Sequence, residues 1–163
     1  MHAVIYAVYG TAGLHIQNTY NGDGQTAPAV AALVAGDRAS FYRCVFISLQ
    51  DTLCDMDGRH YYEGCYIVGI TDFIFGNGQT IFQGCQISTA ASPFSPGFVT
   101  AQGRSSEAET TGFVFRDCTV AGVTPTYLGR AWRAYARVIF FRTNMSDVVV
   151  SQGWDAWNYK GSE

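Results

Sequence analysis

Two aspartates in matching sequence contexts are the residues best suited to chemistry. Asp51 lies in "QDTL" and Asp72 opens "DFIFG", 21 residues further on. Two carboxylates held close together cannot both ionise easily near neutral pH, so such a pair behaves as one acid and one base. Arg130, in "YLGRAW", is the best candidate for a cation that keeps one member charged. Spacing alone also allows a plainer interpretation, in which both aspartates are turn residues that cap adjacent strands.

A repeat along the chain indicates what would position this pair. Four segments carry an aromatic residue three positions before a cysteine, namely "FYRCVF", "YEGCYI", "FQGCQI" and "FRDCTV". "FFRTNM" extends the pattern with Asn144 in the cysteine position, and "HIQNTY" fits it loosely with Asn18. Short strands at this period, separated by turn-rich stretches and without helical periodicity, predict an all-β fold. The predicted fold is a right-handed, single-stranded parallel β-helix, or solenoid.

One repeat then makes one coil, and equivalent positions stack about 4.8 Å apart on one wall. The repeat cysteines are Cys44, Cys65, Cys85 and Cys118, and they are predicted to form a buried packing ladder. One disulfide between neighbouring rungs is the alternative, while Cys54 lies off the ladder. The aromatic positions are predicted to stack in the core; they are Phe41, Tyr62, Phe82, Phe115 and Phe141. Asp51 and Asp72 each follow a ladder cysteine by seven residues, which predicts that they occupy successive coils.

Composition narrows the class of protein. The chain has 163 residues, of which 48% are hydrophobic, 15% aromatic and only 14% charged, as expected for one globular, β-rich domain. A net charge of −3 gives no reason to expect nucleic acid or an anionic membrane as a partner. No apolar run approaches the roughly 20 residues needed to cross a bilayer, and the opening residues do not resemble a signal peptide. Without a CxxC pair, three histidines do not suggest a metal site.

Four motifs in order connect the chain to a known family. They are "QDTL" (50–53), "DFIFG" (72–76), "TAQGR" (100–104) and "LGRAW" (128–132). In these motifs the sequence resembles the plant pectin methylesterases. The resemblance implies a right-handed parallel β-helix that hydrolyses methyl esters on the galacturonate units of homogalacturonan. It implies no metal and no other cofactor.

The resemblance also assigns roles to the residues that match the family motifs. Asp72 is the implied nucleophile on the C6 ester carbonyl, and Asp51 is the implied acid that protonates departing methanol and then acts as base toward water. Gln50 is the amide that steadies the oxyanion, and Arg130 holds the nucleophile.

A second group of residues is expected to contact the substrate. Trp132 resembles an aromatic platform for a sugar ring, with a core tryptophan as the alternative. Phe75, Gln102 and Tyr135 are further substrate-binding candidates from their positions. Phe73 and Phe75 lie two residues apart, and we expect one to pack inside the coil and the other to border the groove.

The chain departs from the family pattern at two positions, one in the stretch "PAVAAL" (28–33) and one in "LGRAW". Pro28 stands where the family has a second oxyanion glutamine, and proline offers neither a side-chain donor nor a backbone N–H. Gln25, three residues earlier, could substitute if its loop reaches the site. Without it, hydrolysis is expected to be weakened rather than absent. Ala131 replaces the usual proline of "LGRAW", which is a milder change.

The chain is also shorter than the family's catalytic domain. We therefore interpret residues 1–163 as one partial β-helix domain, shortened at the N-terminus and at the C-terminus. The resemblance implies an exported, cell-wall protein that is monomeric and that binds homogalacturonan and a proteinaceous inhibitor. The competing hypothesis is an impaired β-helix that binds pectin or a partner protein without turnover. A pectin lyase or polygalacturonase is disfavoured, because neither a calcium-binding acid set nor clustered catalytic aspartates are present.

Overall fold

The computed structural model describes residues 3–5, 10–21 and 27–161. Within these residues the chain forms nineteen short strands, β1 to β19 in chain order, and no helix. The strands lie in three parallel sheets to which successive coils contribute in turn, so the predicted parallel β-helix is confirmed. Its crossovers are right-handed, as the connection rule requires. In this part of the chain no helix is long and apolar enough to cross a membrane.

The first sheet has seven strands and carries the residues of interest. In spatial order they are β1 (Ala3–Ile5), β4 (Ala32–Val34), β7 (Leu53–Asp55), β10 (Ile74–Gly76), β13 (Gly97–Gln102), β16 (Thr126–Ala131) and β19 (Trp154–Asp155). The segment "PAVAALVAGDR" (28–38), whose apolar residues fit a strand as well as a helix, contributes β4 and no helix.

The other two sheets have six strands each. The second contains β2 (Thr11–Ala12), β5 (Ala39–Tyr42), β8 (Arg59–Glu63), β11 (Gln79–Gln83), β14 (Gly112–Arg116) and β17 (Val138–Phe141). The third contains β3 (His15–Gln17), β6 (Val45–Ile47), β9 (Tyr66–Gly69), β12 (Gln86–Thr89), β15 (Thr119–Gly122) and β18 (Asn144–Met145).

A column of aromatic rings fills the space enclosed by the sheets. Phe41, Tyr62, Phe82, Phe115 and Phe140 stack face to face, with neighbouring centroids 4.5 to 4.9 Å apart. The predicted stack is therefore confirmed for its first four members. The fifth prediction, Phe141, is wrong: its side chain is 50% exposed, and the register pairs Phe140 with Phe115.

The cysteine ladder is confirmed, and all five cysteines are buried and free, so the disulfide alternative is wrong. Three of the ladder thiols approach the carbonyl of the aromatic residue in the preceding coil, whereas that of Cys44 lies 3.6 Å from Thr11 O. Sγ lies 3.5 Å from Phe41 O for Cys65, 3.5 Å from Tyr62 O for Cys85 and 3.3 Å from Phe82 O for Cys118. These weak S–H donors satisfy carbonyls at a tight turn without adding bulk to the core.

The ends of the ladder differ from the prediction. Because Asn144 pairs with Thr119, the residue level with Cys118 is Thr143, whose hydroxyl donates to Phe115 O at 3.1 Å in place of a thiol. Because His15 pairs with Val45, the residue level with Cys44 is Leu14 rather than Asn18. The side-chain amide of Asn18 instead donates to Val30 O at 2.9 Å.

The register at this corner is set by a left-handed residue just before each ladder position. The members of this column have φ between 49° and 68°, and they are Gly13, Arg43, Gly64, Gly84, Asp117 and Arg142. A left-handed residue turns the chain sharply between the second and third sheets, so the ladder residue must be the one that follows it. This geometry fixes the ladder at Leu14 and Thr143.

Candidate active site

Asp51 and Asp72 lie one above the other at the entrance to the first sheet. The preceding residues, Gln50 and Thr71, form a parallel bridge, and Asp51 N donates to Thr71 O at 3.0 Å. Both aspartates are left-handed, with φ of 60° and 48°. A non-glycine residue in this region carries a conformational cost, and such residues concentrate at functional sites. The predicted register of the two residues is therefore observed.

Arg130 reaches back to Asp72 from the strand β16. Its Nε lies 2.8 Å from Oδ1 and its Nη2 2.6 Å from Oδ2, which is the two-pronged geometry of a strong guanidinium–carboxylate pair. The side chains are only 20% and 10% exposed, so water screens the pair weakly. This arrangement pairs the Asp72 carboxylate with a cation and fixes the direction of its oxygens.

Asp51 is in a different electrostatic environment, although it is also an aspartate. Burial raises the pKa of its carboxyl, and the negative charge of Asp72 raises it further, while Arg130 acts in the opposite direction. The result is a pKa of about 6. One carboxyl group is thus paired with a cation, and the other is able to carry a proton near neutral pH, which is the difference that acid–base chemistry between two carboxyl groups requires.

Two phenylalanines follow Asp72 in the chain and point to opposite faces of the first sheet. Phe73 is fully buried in the core, whereas Phe75 is only half-buried on the outer face and meets Trp132 edge to face, with centroids 6.1 Å apart. The expected split between an inner and an outer phenylalanine is therefore observed. The indole of Trp132 packs on Gly103, where an added Cβ would lie 2.9 Å from its ring.

The remaining substrate-contact candidates are Gln102, the last residue of β13, and Tyr135, in the loop that follows β16. Gln102 is completely buried, and its Oε1 accepts the N–H groups of Arg104 and Arg137, each at 2.9 Å. A side chain without exposed surface cannot touch a substrate here, so Gln102 joins the two loops instead. Tyr135 is 46% exposed, and the Arg104 guanidinium lies 5.9 Å from its ring centroid.

Arg104 also holds the loop after β16 in place. It is nearly buried, and it donates to the carbonyls of Glu109 at 2.9 Å and Tyr135 at 3.2 Å and also to Glu107 O. The loop that carries Trp132 and Tyr135 is thereby fixed to the end of β13. Within the residues described, no three His, Cys, Asp or Glu side chains come together in a way that could hold a metal ion.

Comparison with known proteins identifies the family to which this site belongs. A model of the family described as Pectinesterase matches residues 3–162. The chain belongs to the pectinesterase family. Probable pectinesterase 29 of Arabidopsis thaliana is 51% identical over 139 residues, which cover 83% of this chain and 42% of that protein. Putative pectinesterase 10 of the same plant is 47% identical over 158 residues, covering 93% and 47%.

Solved structures agree with this assignment. A pectin methylesterase from carrot superposes with a TM-score of 0.88 at 32% identity, covering 96% of this chain and 51% of that one. A pectin methylesterase in complex with a hexasaccharide gives a TM-score of 0.78 at 25% identity, covering 90% and 53%. The chain spans about half, or slightly less, of the length of these relatives.

The pectinesterase motif in which the chain departs from the family lies next to Gln50. Pro28 and Gln50 form a parallel bridge, so position 28 occupies the same place one coil earlier. Pro28 is exposed and Gln50 is half-buried, and Gln50 directly precedes Asp51 in the chain. Gln25, the suggested substitute donor, lies outside the described residues.

Two residues at this pectinesterase site were missed by the sequence analysis. Phe98 and Trp157 both contact Arg130, at 4.1 and 4.0 Å from the guanidinium carbon to the ring centroid. Neither belongs to a motif with a recognised spacing, and Trp157 is 27 residues beyond Arg130. The only signal was the run of aromatic residues in "GWDAWNY", which is equally typical of a core segment.

Proposed function

We propose that this protein hydrolyses the methyl esters of galacturonate units in homogalacturonan and releases methanol. The observation that carries the proposal is the asymmetry of the stacked carboxylates. Asp72 is bound by Arg130 in a two-pronged ion pair, whereas Asp51 has a pKa raised to about 6. This is the arrangement expected for a carboxylate nucleophile beside a proton donor.

In the first half of the reaction, an Asp72 oxygen attacks the C6 carbonyl and forms a tetrahedral adduct. The negative charge that develops on the carbonyl oxygen is stabilised by the side-chain amide of Gln50. When the adduct collapses, the bond between C6 and the methoxy oxygen breaks, and protonated Asp51 gives its proton to departing methanol. The acyl group remains bound to Asp72 as an anhydride.

In the second half, Asp51 is ionised and takes a proton from a water molecule as that water attacks C6. The bond between C6 and the Asp72 oxygen breaks, which regenerates ionised Asp72 and releases the galacturonic acid product, whose carboxyl group then loses its proton to the solvent. Asp51 is again protonated. Arg130 holds Asp72 through both halves, and Trp132 and Phe75 provide apolar surfaces for the C–H faces of a sugar ring.

The wider setting of the protein follows from the same proposal. Its substrate is methyl-esterified homogalacturonan, and we place the intact protein outside the cell, in the plant cell wall. We regard residues 1–163 as part of a single catalytic β-helix domain that acts as a monomer. A proteinaceous inhibitor is the one protein partner that we expect, with neither nucleic acid nor a membrane as a partner.

The test is methanol release from highly methylated pectin. The Asp72→Asn variant should lose activity by at least about 10³-fold, because an amide is a poor nucleophile and no longer pairs with Arg130. Asp57→Asn is the matched control, because this aspartate is exposed in a turn. Equal release by the parent and Asp72→Asn would overturn the assignment. A folded parent that binds pectin without releasing methanol would favour the non-catalytic alternative, which the proline at position 28 makes worth testing.

A further inference from the structure

Arg130 is constrained by more than its ion pair. Its guanidinium carbon lies 4.1 Å from the ring centroid of Phe98 and 4.0 Å from that of Trp157. Two rings cannot share one face of a guanidinium at these distances, so the group lies between them. Only the edge of the guanidinium remains available for hydrogen bonds, and that edge faces Asp72.

Phe98 is the half of this arrangement that is built into the coil wall. It lies on β13, between the coil of Asp72 and the coil of Arg130, and its carbonyl accepts the N–H of Phe73 at 3.4 Å. Its ring stacks on Tyr127 in the next strand, with centroids 5.3 Å apart and planes only 9° from parallel. The ring is therefore fixed before Arg130 packs against it.

Trp157 comes from the segment that follows β19. Asp155 pairs in register with Arg130, and its side chain accepts the N–H of Trp157 at 2.7 Å. Trp157 itself is left-handed, with φ of 49°, and Tyr159 N donates to Ala156 O at 2.8 Å. A non-glycine residue keeps this conformation only when its surroundings enforce it. The turn thus brings the indole against Arg130.

We propose that Phe98 and Trp157 form an aromatic clamp that positions Arg130, and through it Asp72, for the ester hydrolysis proposed above. A cation packed against aromatic faces is attracted by their quadrupoles, and the attraction grows when water is excluded. The clamp also leaves Arg130 few alternative side-chain conformations, so that the Asp72 oxygens keep their direction between turnovers. Phe98 and Trp157 are positioning residues, and neither is required to touch the substrate.

The first test separates the rate of reaction from substrate binding in the intact protein. Trp157→Leu keeps apolar bulk but removes the aromatic face, and it should lower kcat about tenfold while KM stays within about twofold. Trp157→Phe restores a ring face and should recover most of the rate. Phe141→Leu is the matched control, because this ring is 50% exposed on the second sheet and likewise packs on a guanidinium, that of Arg142. It should leave kcat within about twofold.

A second measurement follows Arg130 directly and does not depend on turnover. In NMR spectra, rotation of the guanidinium should be slow in the parent and clearly faster in Trp157→Leu. Circular dichroism establishes that each variant is folded, and Trp157→Met replaces Trp157→Leu if the latter unfolds. Unchanged kcat and unchanged rotation in the folded variant would overturn the clamp, as would a rise in KM alone. If the parent releases no methanol, the proposed function fails, and the rotation rates alone decide whether the clamp exists.

Discussion

At the scale of single residues, the site depends on how two identical carboxylates are made different. Arg130 extends from a later coil and reaches Asp72, with which it pairs through two hydrogen bonds. Asp51 receives only the weaker field of Arg130, which does not offset burial and the charge of Asp72. The difference between the nucleophile and the proton donor therefore comes from the groups that surround each carboxyl group and not from the residue type.

The raised pKa of Asp51 predicts how activity depends on pH. Because Asp51 must be protonated to release methanol, kcat/KM should fall above about pH 6, approaching tenfold per pH unit. The carboxyl can be titrated directly by NMR in the parent and in Asp72→Asn. Removal of the Asp72 charge should lower the pKa of Asp51, whereas Asp57→Asn should leave it unchanged. An identical Asp51 titration in Asp72→Asn would mean that burial alone raises the pKa.

Position 28 predicts a gain of function. Pro28→Gln places a second amide one coil from Gln50, where it can help stabilise the oxyanion. One such donor is typically worth about 10²–10³ in rate, and with Gln50 already present we expect kcat to rise about tenfold or more. Methanol release at saturating pectin measures this, with Pro28→Leu as a control for the loss of proline. A rate no higher than that of Pro28→Leu would show that position 28 does not contribute to the oxyanion site.

At the scale of elements, the sequence predicted the features that recur in each coil and missed the features that occur once. The period, the core ladder and the shared register of Asp51 and Asp72 follow from spacing, because a solenoid converts sequence distance into position along one axis. The neighbouring Phe140 and Phe141 satisfied the pattern equally well, and only the left-handed Arg142 decides between them. Nothing in the sequence signals that Arg142 is left-handed, because arginine seldom adopts this conformation.

Contacts between strand ends and loops escaped prediction for a different reason. Gln102 lies in a family motif, but its burial depends on the backbone of Arg104 and Arg137, which only the folded loops bring together. Trp157 reaches Arg130 through a turn stabilised by Asp155. Contacts of this kind connect segments that share no period, so spacing carries no information about them.

The register of β17, which places Phe140 in the core and Phe141 outside it, gives a prediction of its own. Phe140 ends the aromatic column and stacks on Phe115 at 4.5 Å, so Phe140→Ala should lower the free energy of unfolding by about 2 kcal/mol. Phe141 points outward, and Phe141→Ala should change that free energy by less than about 0.5 kcal/mol. Urea unfolding of the two variants provides the comparison. A larger loss for Phe141→Ala than for Phe140→Ala would mean that Phe141, and not Phe140, lies in the core.

At the scale of the whole molecule, the solenoid connects distant parts of the chain through a few buried polar groups. Asp72 and Arg130 are 58 residues apart in sequence yet form one ion pair across the first sheet.

A second buried polar group lies inside the coil, around His60. Its Nδ1 is 2.9 Å from Asp55 Oδ1 and its Nε2 is 2.9 Å from Gly36 O. Asp55 also accepts the hydroxyl of Thr80 at 2.7 Å. Because both ring nitrogens face acceptors, the doubly protonated imidazolium satisfies both contacts.

This buried histidine predicts how stability depends on pH. Burial lowers the pKa of His60, but the hydrogen bond and charge of Asp55, together with Gly36 O, outweigh it, and the net pKa is raised above 6.5. The folded protein then binds a proton more tightly than the unfolded chain does. The resulting stabilisation is fully present below about pH 6.5 and is lost as pH rises through the raised pKa.

Thermal unfolding between pH 6 and pH 9 measures this loss. The Tm of the parent should decrease across the range, and His60→Gln should start lower and show a flatter profile, because its amide does not titrate. His15→Gln is the matched control, since His15 is exposed in the third sheet, and its profile should follow that of the parent. Parallel profiles for the parent and His60→Gln would mean that His60 is neutral throughout, with one of its two nitrogens facing an acceptor as an unprotonated lone pair.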